Sequence, residues 1–189
     1  MTIIRPTPEQ LLAARDGTVA DLIRPGLRVL FCGINPSLYS AAVGHHFARP
    51  GNRVGPALHA SGFTPRRLSP AEGAVLLALG CGITNVVDRA TATAAELAAG
   101  EFVEGARRLA AKVERARPKV VAILGITAYR AAFGRKGAVP GRQSERIAGS
   151  AVWVLPNPSG LNAHYQAPDL ARVFGELRSA SDVMLTPAF

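Results

Sequence analysis

Leu27-Arg28-Val29-Leu30-Phe31-Cys32-Gly33, followed at once by Ile34-Asn35-Pro36-Ser37, is the stretch on which the reading of this chain turns. The first seven residues form a short apolar run stopped by glycine, the pattern of a buried strand. Three further runs resemble it: residues 82–87 (Gly-Ile-Thr-Asn-Val-Val), residues 119–125 (Lys-Val-Val-Ala-Ile-Leu-Gly) and residues 151–155 (Ala-Val-Trp-Val-Leu). Helical signals separate them. Thr7-Pro8-Glu9-Gln10 and Ser69-Pro70-Ala71-Glu72 are capping boxes with proline at the first helical position, opening helices over residues 8–16 and from 69 to about 80. Apolar Phe102, Ala106, Leu109, Ala110 and Val113 recur at helical spacing within residues 101–117, which puts Arg107, Arg108, Lys112 and Arg115 on the exposed side, and Pro118 stops that helix. Further helices are expected over residues 53–60, 126–133 and from 168 to about 181. Residues 34–50, the Gly-rich basic residues 134–142 and residues 156–167 read as loops.

Apolar strands alternating with helices imply an α/β fold, a three-layer α-β-α sandwich around a mostly parallel sheet of four or five strands. Such sheets bind ligands at the carboxyl ends of their strands. The informative places are therefore the loops after Gly33, Val87, Gly125 and Leu155.

The chain has 189 residues, a length that suits one domain, with residues 1–24 as an N-terminal helical extension. Hydrophobic residues make up 48% and charged residues 19%, enough for a packed core and against global disorder. Lys plus Arg is 22 against 13 for Asp plus Glu, a net charge of +9, and only Lys112, Lys119 and Lys136 are lysines. The guanidinium fork suits bidentate phosphate contacts, so the charge fits a polyanionic partner, nucleic acid first; a generally arginine-rich composition accounts for it equally. Cys32 and Cys81 sit in apolar runs and read as buried thiols of a reducing compartment. No apolar run is long enough to span a membrane and the first residues, MTIIRPTPEQ, have no secretory pattern. Membrane association is therefore not expected, and a cytoplasmic location is.

Two of the informative loops are alike. Asn35-Pro36-Ser37 and Asn157-Pro158-Ser159 each lie within two residues of an expected strand end. Proline keeps the preceding asparagine out of the helical region and so fixes the direction of a carboxamide, which donates and accepts at once. Simple turn formation is the competing reading of each motif. No G-x-G-x-x-G, P-loop, G-x-S-x-G or H-E-x-x-H motif is present. His45 and His46 are adjacent, so their side chains diverge in extended chain, and no cysteine or carboxylate near them completes a metal site. Ser159 reads as a turn serine rather than a nucleophile. Asp88 is the one carboxylate near an expected strand end, a candidate base or, more commonly, half of a surface ion pair.

These loops, with Phe47-Ala48-Arg49-Pro50-Gly51-Asn52-Arg53, Cys81-Gly82-Ile83-Thr84-Asn85-Val86-Val87-Asp88-Arg89 and Asn157-Pro158-Ser159-Gly160-Leu161-Asn162, resemble the mismatch-specific uracil-DNA glycosylases. These are bacterial relatives of thymine-DNA glycosylase within the uracil-DNA glycosylase superfamily. The likeness covers roughly residues 25–180. It implies a monofunctional glycosylase acting in base-excision repair on uracil, or thymine in some members, flipped out of double-stranded DNA. It also implies a monomer that needs no cofactor and works at the bacterial nucleoid. Asn35 matches the position whose carboxamide holds the attacking water. Asn157 matches a second residue near the scissile bond, and Phe47 the aromatic that stacks on the base. Gly33, Ile34, Tyr39 and Ser40 complete the expected base pocket. Ser159, Gly160, Leu161 and Asn162 match the wedge loop, with Leu161 filling the gap in the duplex.

The chain departs from the family pattern at four places. Ser37 stands where glycine is common, Tyr39 where many members carry a small residue, and Asn85 where some relatives carry a basic one. The run Asn162-Ala163-His164-Tyr165 lacks the arginine that some relatives place near the unpaired guanine. A catalytically silent nucleic-acid-binding protein, which the basic residues 134–142 and Arg66-Arg67 would serve as well as a glycosylase, a glycosylase of the same superfamily with a different base preference, and a nucleoside hydrolase on the same fold remain as alternatives.

Overall fold

The computed structural model describes residues 5–160, 162 and 164–183. Five strands form one sheet in the order β2-β1-β3-β5-β4. Strand β1 (Val29–Gly33) lies between β2 (Cys81–Asn85) and β3 (Val120–Leu124), parallel to both, and β5 (Ser150–Leu155) runs parallel to β3. Every residue of β1, β2 and β3 is buried. A strand covered on both faces needs apolar residues on both, which is why these segments read as continuous runs rather than alternations.

Helices α3 (Val54–Ala60), α4 (Gly73–Ala78) and α7 (Ala167–Val183) pack against one face, around Val29 and Phe31. Helices α5 (Ala99–Ala116) and α6 (Ile126–Phe133) pack against the other, around Leu30 and Cys32. Phe31 is completely buried, edge-on to Phe63 at 5.3 Å and stacked near Phe174 at 6.0 Å. Truncating such a ring to alanine costs about 3–5 kcal/mol. The three-layer α/β sandwich is thus as expected. The chain leaves β1 to one side for β2 and returns past it for β3, so a crevice opens between the carboxyl ends of β1 and β3.

Both capping boxes form. Thr7 Oγ1 accepts from the Gln10 amide at 3.3 Å, and the Ser69 amide donates to Glu72 at 2.8 Å. The first heads α1 (Pro8–Ala13); the second opens a tight turn, Pro70–Glu72, ahead of α4. The described residues between α1 and β1 carry no further helix. Leu22 pairs antiparallel with Ile83, its amide and carbonyl each bonded at 2.9 Å, so this stretch lies along β2 rather than standing off as a helical extension.

Three expectations are corrected. Residues 34–50 are not all loop, because α2 (Leu38–Val43) lies within them. Ser37 caps it by accepting from the Ser40 amide at 3.1 Å, and Gly44 ends it in the left-handed region at φ 72°. A six-residue helix is too short to display a period. An unanticipated antiparallel strand, β4 (Gly141–Ile147), closes one edge of the sheet. Residues 141–146 alternate half-buried and exposed, with Arg142 and Arg146 outward, as an edge strand requires. Lys112, expected on the exposed face of α5, is half-buried. Its ammonium meets Asp88 at 2.8 Å and Asp21 at 2.9 Å and donates to Thr84 Oγ1 at 3.2 Å. Burial pulls its pKa down, and the hydrogen bonds and charges of the two aspartates more than offset this, leaving it raised.

Candidate functional site

The four loops singled out from the sequence meet at one cavity of about 600 Å³, at the carboxyl edge of the sheet. Gly33, Ile34, Asn35, Ser37, Ser40, Phe47, Asn157, Ser159 and Asn162 all line it. Tyr39 does not join them; it faces an adjoining hollow beyond Phe47, together with Arg5, Arg49 and Arg67. Gly160 is exposed and is not part of the lining, and Leu161 lies outside the described residues. Among the described residues no carboxylate, cysteine or lysine lines the cavity, and no group of His, Cys, Asp or Glu could hold a metal ion. Asp88 is turned away onto Lys112 and Arg108.

Asn35 is held by its amide nitrogen. Nδ2 donates to the Arg89 carbonyl at 2.9 Å and to Thr91 Oγ1 at 2.7 Å. A carbonyl only accepts, so these bonds fix which end of the carboxamide is nitrogen. Oδ1 therefore faces the cavity. Thr91 is buried and passes its own hydroxyl proton to the Thr93 carbonyl at 2.7 Å. The loop carrying both acceptors is braced in turn, for Arg89 meets Glu101 at 2.8 Å and Asp16 at 2.8 Å. The Arg89 guanidinium, with the Ala98 amide, holds the Glu101 carboxyl down at about 2.

Part of the floor of the cavity, the buried pair His46 and Asn85, was missed in the sequence. Gly33 has no side chain, and one there would collide with Asn85 Oδ1 and press on the Phe47 ring. Phe47 takes a left-handed backbone, φ 55°, which turns its ring over Gly33. Behind it His46 is buried. Its Nε2 lies 3.0 Å from the Ala20 carbonyl, and its Nδ1 lies 3.3 Å from Asn85 Nδ2. The carbonyl fixes the tautomer: Nε2 carries the proton, Nδ1 accepts, and Asn85 turns Oδ1 toward Gly33. Burial, ahead of the opposing Ala20 hydrogen bond, lowers the His46 pKa and keeps the ring neutral. Of the two adjacent histidines, His46 thus serves a hydrogen-bond relay, and His45 is exposed. The signal available in the sequence was the polar pair Thr84-Asn85 inside an apolar run.

Ser40 is buried, and its hydroxyl accepts from Ser37 Oγ at 3.1 Å and from the Ala48 amide at 3.2 Å, so it ties α2 to the Phe47 loop. The Ile34 carbonyl accepts from the Val87 amide at 2.9 Å. Across the cavity Asn157 is held the opposite way to Asn35. Its Oδ1 accepts from the Ser159 amide at 3.0 Å, closing an Asx turn, and its Nδ2 is the end left to the cavity. Asn162 folds the loop further by donating to the Asn157 carbonyl at 2.9 Å. Helix α6 starts at the same rim, so its unpaired amide groups favour negative charge there.

The positive charge is partly consumed. Arg66 pairs with Glu72 at 2.6 Å, and Arg135 with Glu145 at 2.9 Å. Arg5, Arg49 and Arg67 of the adjoining hollow make no described side-chain hydrogen bond or ion pair.

An α/β sheet whose switch-point crevice holds a carboxylate-free pocket lined by fixed carboxamides defines the class. Residues 20–178 match the family model described as the uracil DNA glycosylase superfamily, and the chain belongs to that superfamily. Among solved structures it resembles a solution NMR structure described as "a putative Uracil DNA glycosylase" from Methanosarcina acetivorans, with a TM-score of 0.59 at 17% sequence identity over 86% of this chain and 98% of that one. A likeness at that identity is one of fold.

Proposed function

We propose that this protein is a monofunctional DNA glycosylase that hydrolyses the N-glycosidic bond of uracil flipped out of duplex DNA, of the mismatch-specific, thymine-DNA glycosylase-like kind. The observation that carries the reading is Asn35, tethered through Nδ2 so that Oδ1 faces a cavity without any carboxylate among the described residues. The target base leaves the stack and enters the cavity. Phe47 offers it a face, and Asn85 Oδ1 accepts from its N3–H. Asn35 Oδ1 holds a water against C1′. The bond from C1′ to N1 breaks with its electron pair leaving on the base, and water oxygen joins C1′ as its proton passes to solvent. The amides at the start of α6 favour the departing anion. Positioning and fixed dipoles then carry the catalysis, so the strong base that the site lacks is not required. No lysine lines the cavity among the described residues, so water attacks directly and no Schiff base forms. Asn157 Nδ2 is a donor on the opposite wall, and residues 159–162 with Leu161 serve as the wedge. Arg5, Arg49 and Arg67 give the backbone a salt-sensitive track.

The test is a labelled duplex with one uracil, incubated with the protein and treated with hot alkali. Cleavage at the uracil, strongest opposite guanine, is expected. Binding without cleavage makes the protein a silent binder and overturns the proposal.

A further inference from the structure

Arg53 has unusual surroundings. It precedes α3, and its guanidinium is turned inward across the base of residues 156–166, a segment without helix or strand among its described residues. One terminal nitrogen donates to the Tyr165 carbonyl at 2.6 Å; the other donates to the Asn162 carbonyl at 2.8 Å and to the Ser159 carbonyl. Its own backbone amide donates to the Pro158 carbonyl at 3.1 Å. Thus one residue serves four carbonyls spread over residues 158–165. No carboxylate pairs with it among the described residues, and its Nε is buried without a partner. A half-buried cation with one buried, unmatched donor is costly to keep, so the arrangement favours a task that a neutral side chain does not perform. Close by, Gly160 sits so tightly on the Gly51 carbonyl that a side chain would collide with it. Phe47, Asn52 and Arg53 lie on one short stretch, so the same contacts join the wall bearing Phe47 to the wall bearing Asn157.

We propose that Arg53 is a positioning residue that holds the loop of residues 156–166 in its duplex-ready shape and locks the two walls of the pocket mouth into one unit. The inference deepens the glycosylase reading and rests on it for its activity readout. A loop that enters a duplex loses less freedom on binding when it is already ordered. A lysine does not replace the arginine, because a point charge cannot hold three carbonyls in a fork.

The test compares Arg53→Met and Arg53→Lys with the full-length wild type. Three quantities are measured: single-turnover uracil release from duplex and from single-stranded DNA, thermal stability, and amide hydrogen exchange over residues 157–166. Release from duplex is expected to fall about 10²-fold in both variants, the scale of a misplaced reacting geometry, with a much smaller fall on single strands. Exchange should rise in residues 157–166 but not in β1 or β3. Equal losses on both substrates with a lowered melting temperature would mean that Arg53 only supports the fold, and rescue by lysine would mean that charge alone suffices; either overturns the proposal. If the wild type releases no uracil at all, the glycosylase reading fails, and the exchange measurement still decides the positioning role. Unchanged loop exchange in Arg53→Met then refutes it.

Discussion

The two Asn-Pro-Ser loops share a tripeptide, a strand end and a cavity, and they present opposite ends of the same side chain. In the first, Asn35 gives both amide protons to Arg89 and Thr91 and turns an oxygen inward. In the second, Asn157 spends its oxygen on the Ser159 amide and turns its nitrogen inward. The difference arises in the chain just downstream of each tripeptide. Ser37 caps α2, so the first loop ends in a helix and Asn35 is free to reach a neighbouring loop. Among the described residues no helix begins after Ser159 until Ala167, so the second loop folds on itself and on Arg53. A carboxamide becomes an acceptor or a donor according to which end the surrounding backbone takes.

The comparison is broken most forcefully at Asn35. Asn35→Ala should cut uracil release from duplex by about 10³-fold, the upper scale for loss of one fixed polar group, while binding to uracil-free duplex stays near wild type. Asn35→Asp should be no better, since a carboxylate has no proton for the Arg89 carbonyl. Gel-based single-turnover assays and fluorescence anisotropy read the two quantities, and near-wild-type release by Asn35→Asp would sink the tethering argument. Asn157 sharpens the contrast with a smaller effect. Asn157→Ala should cost about 10²-fold, the loss of one donor with its loop turn. Asn157→Asp keeps an acceptor for the Ser159 amide, so it should restore low hydrogen exchange in the loop without restoring release. Full activity of Asn157→Asp would remove the inward nitrogen from the mechanism.

Much of this was legible before any coordinates. The strands were legible because interior parallel strands must be apolar on both faces, and β1 and β3 are runs of that kind. The rim followed from topology, which brings the ends of β1 and β3 together whatever the loops contain. Strand β4 was not legible, because an edge strand with outward Arg142, Ser144 and Arg146 leaves only a polar alternation in the sequence. The Asn85–His46–Ala20 relay was hidden for another reason: its members come from a strand end, a loop and the N-terminal stretch. No spacing rule links them. The resemblance places Tyr39 in the pocket, but α2 carries it to the far side of Phe47.

The smallest expected effect tests whether the floor obeys the same rule as the walls. Neutral His46 accepts from Asn85 Nδ2; the protonated ring has a proton on both nitrogens, so Asn85 must swing its oxygen to the histidine and its nitrogen to the cavity. A base that offers N3–H then meets a donor. Burial lowers the folded pKa of His46, with the Ala20 hydrogen bond and Asp21 opposing it, Lys112 adding to it and Asp88 opposing it again. The unfolded chain therefore binds this proton more readily than the folded one. The stability owed to His46 is fully present above the ordinary histidine value of about 6.5 and is lost as pH falls through the lowered folded value. Uracil release should accordingly hold level through neutrality and fall several-fold on the acid side, at a pH below the ordinary histidine range and before the protein unfolds. His46→Gln keeps a donor for Ala20 and an acceptor for Asn85 without a titrating group, so its acid limb should move to lower pH. Single-turnover rates against pH, with circular dichroism at each point, separate the two effects. An acid limb identical in wild type and His46→Gln would show that Asn85 does not depend on the protonation of His46.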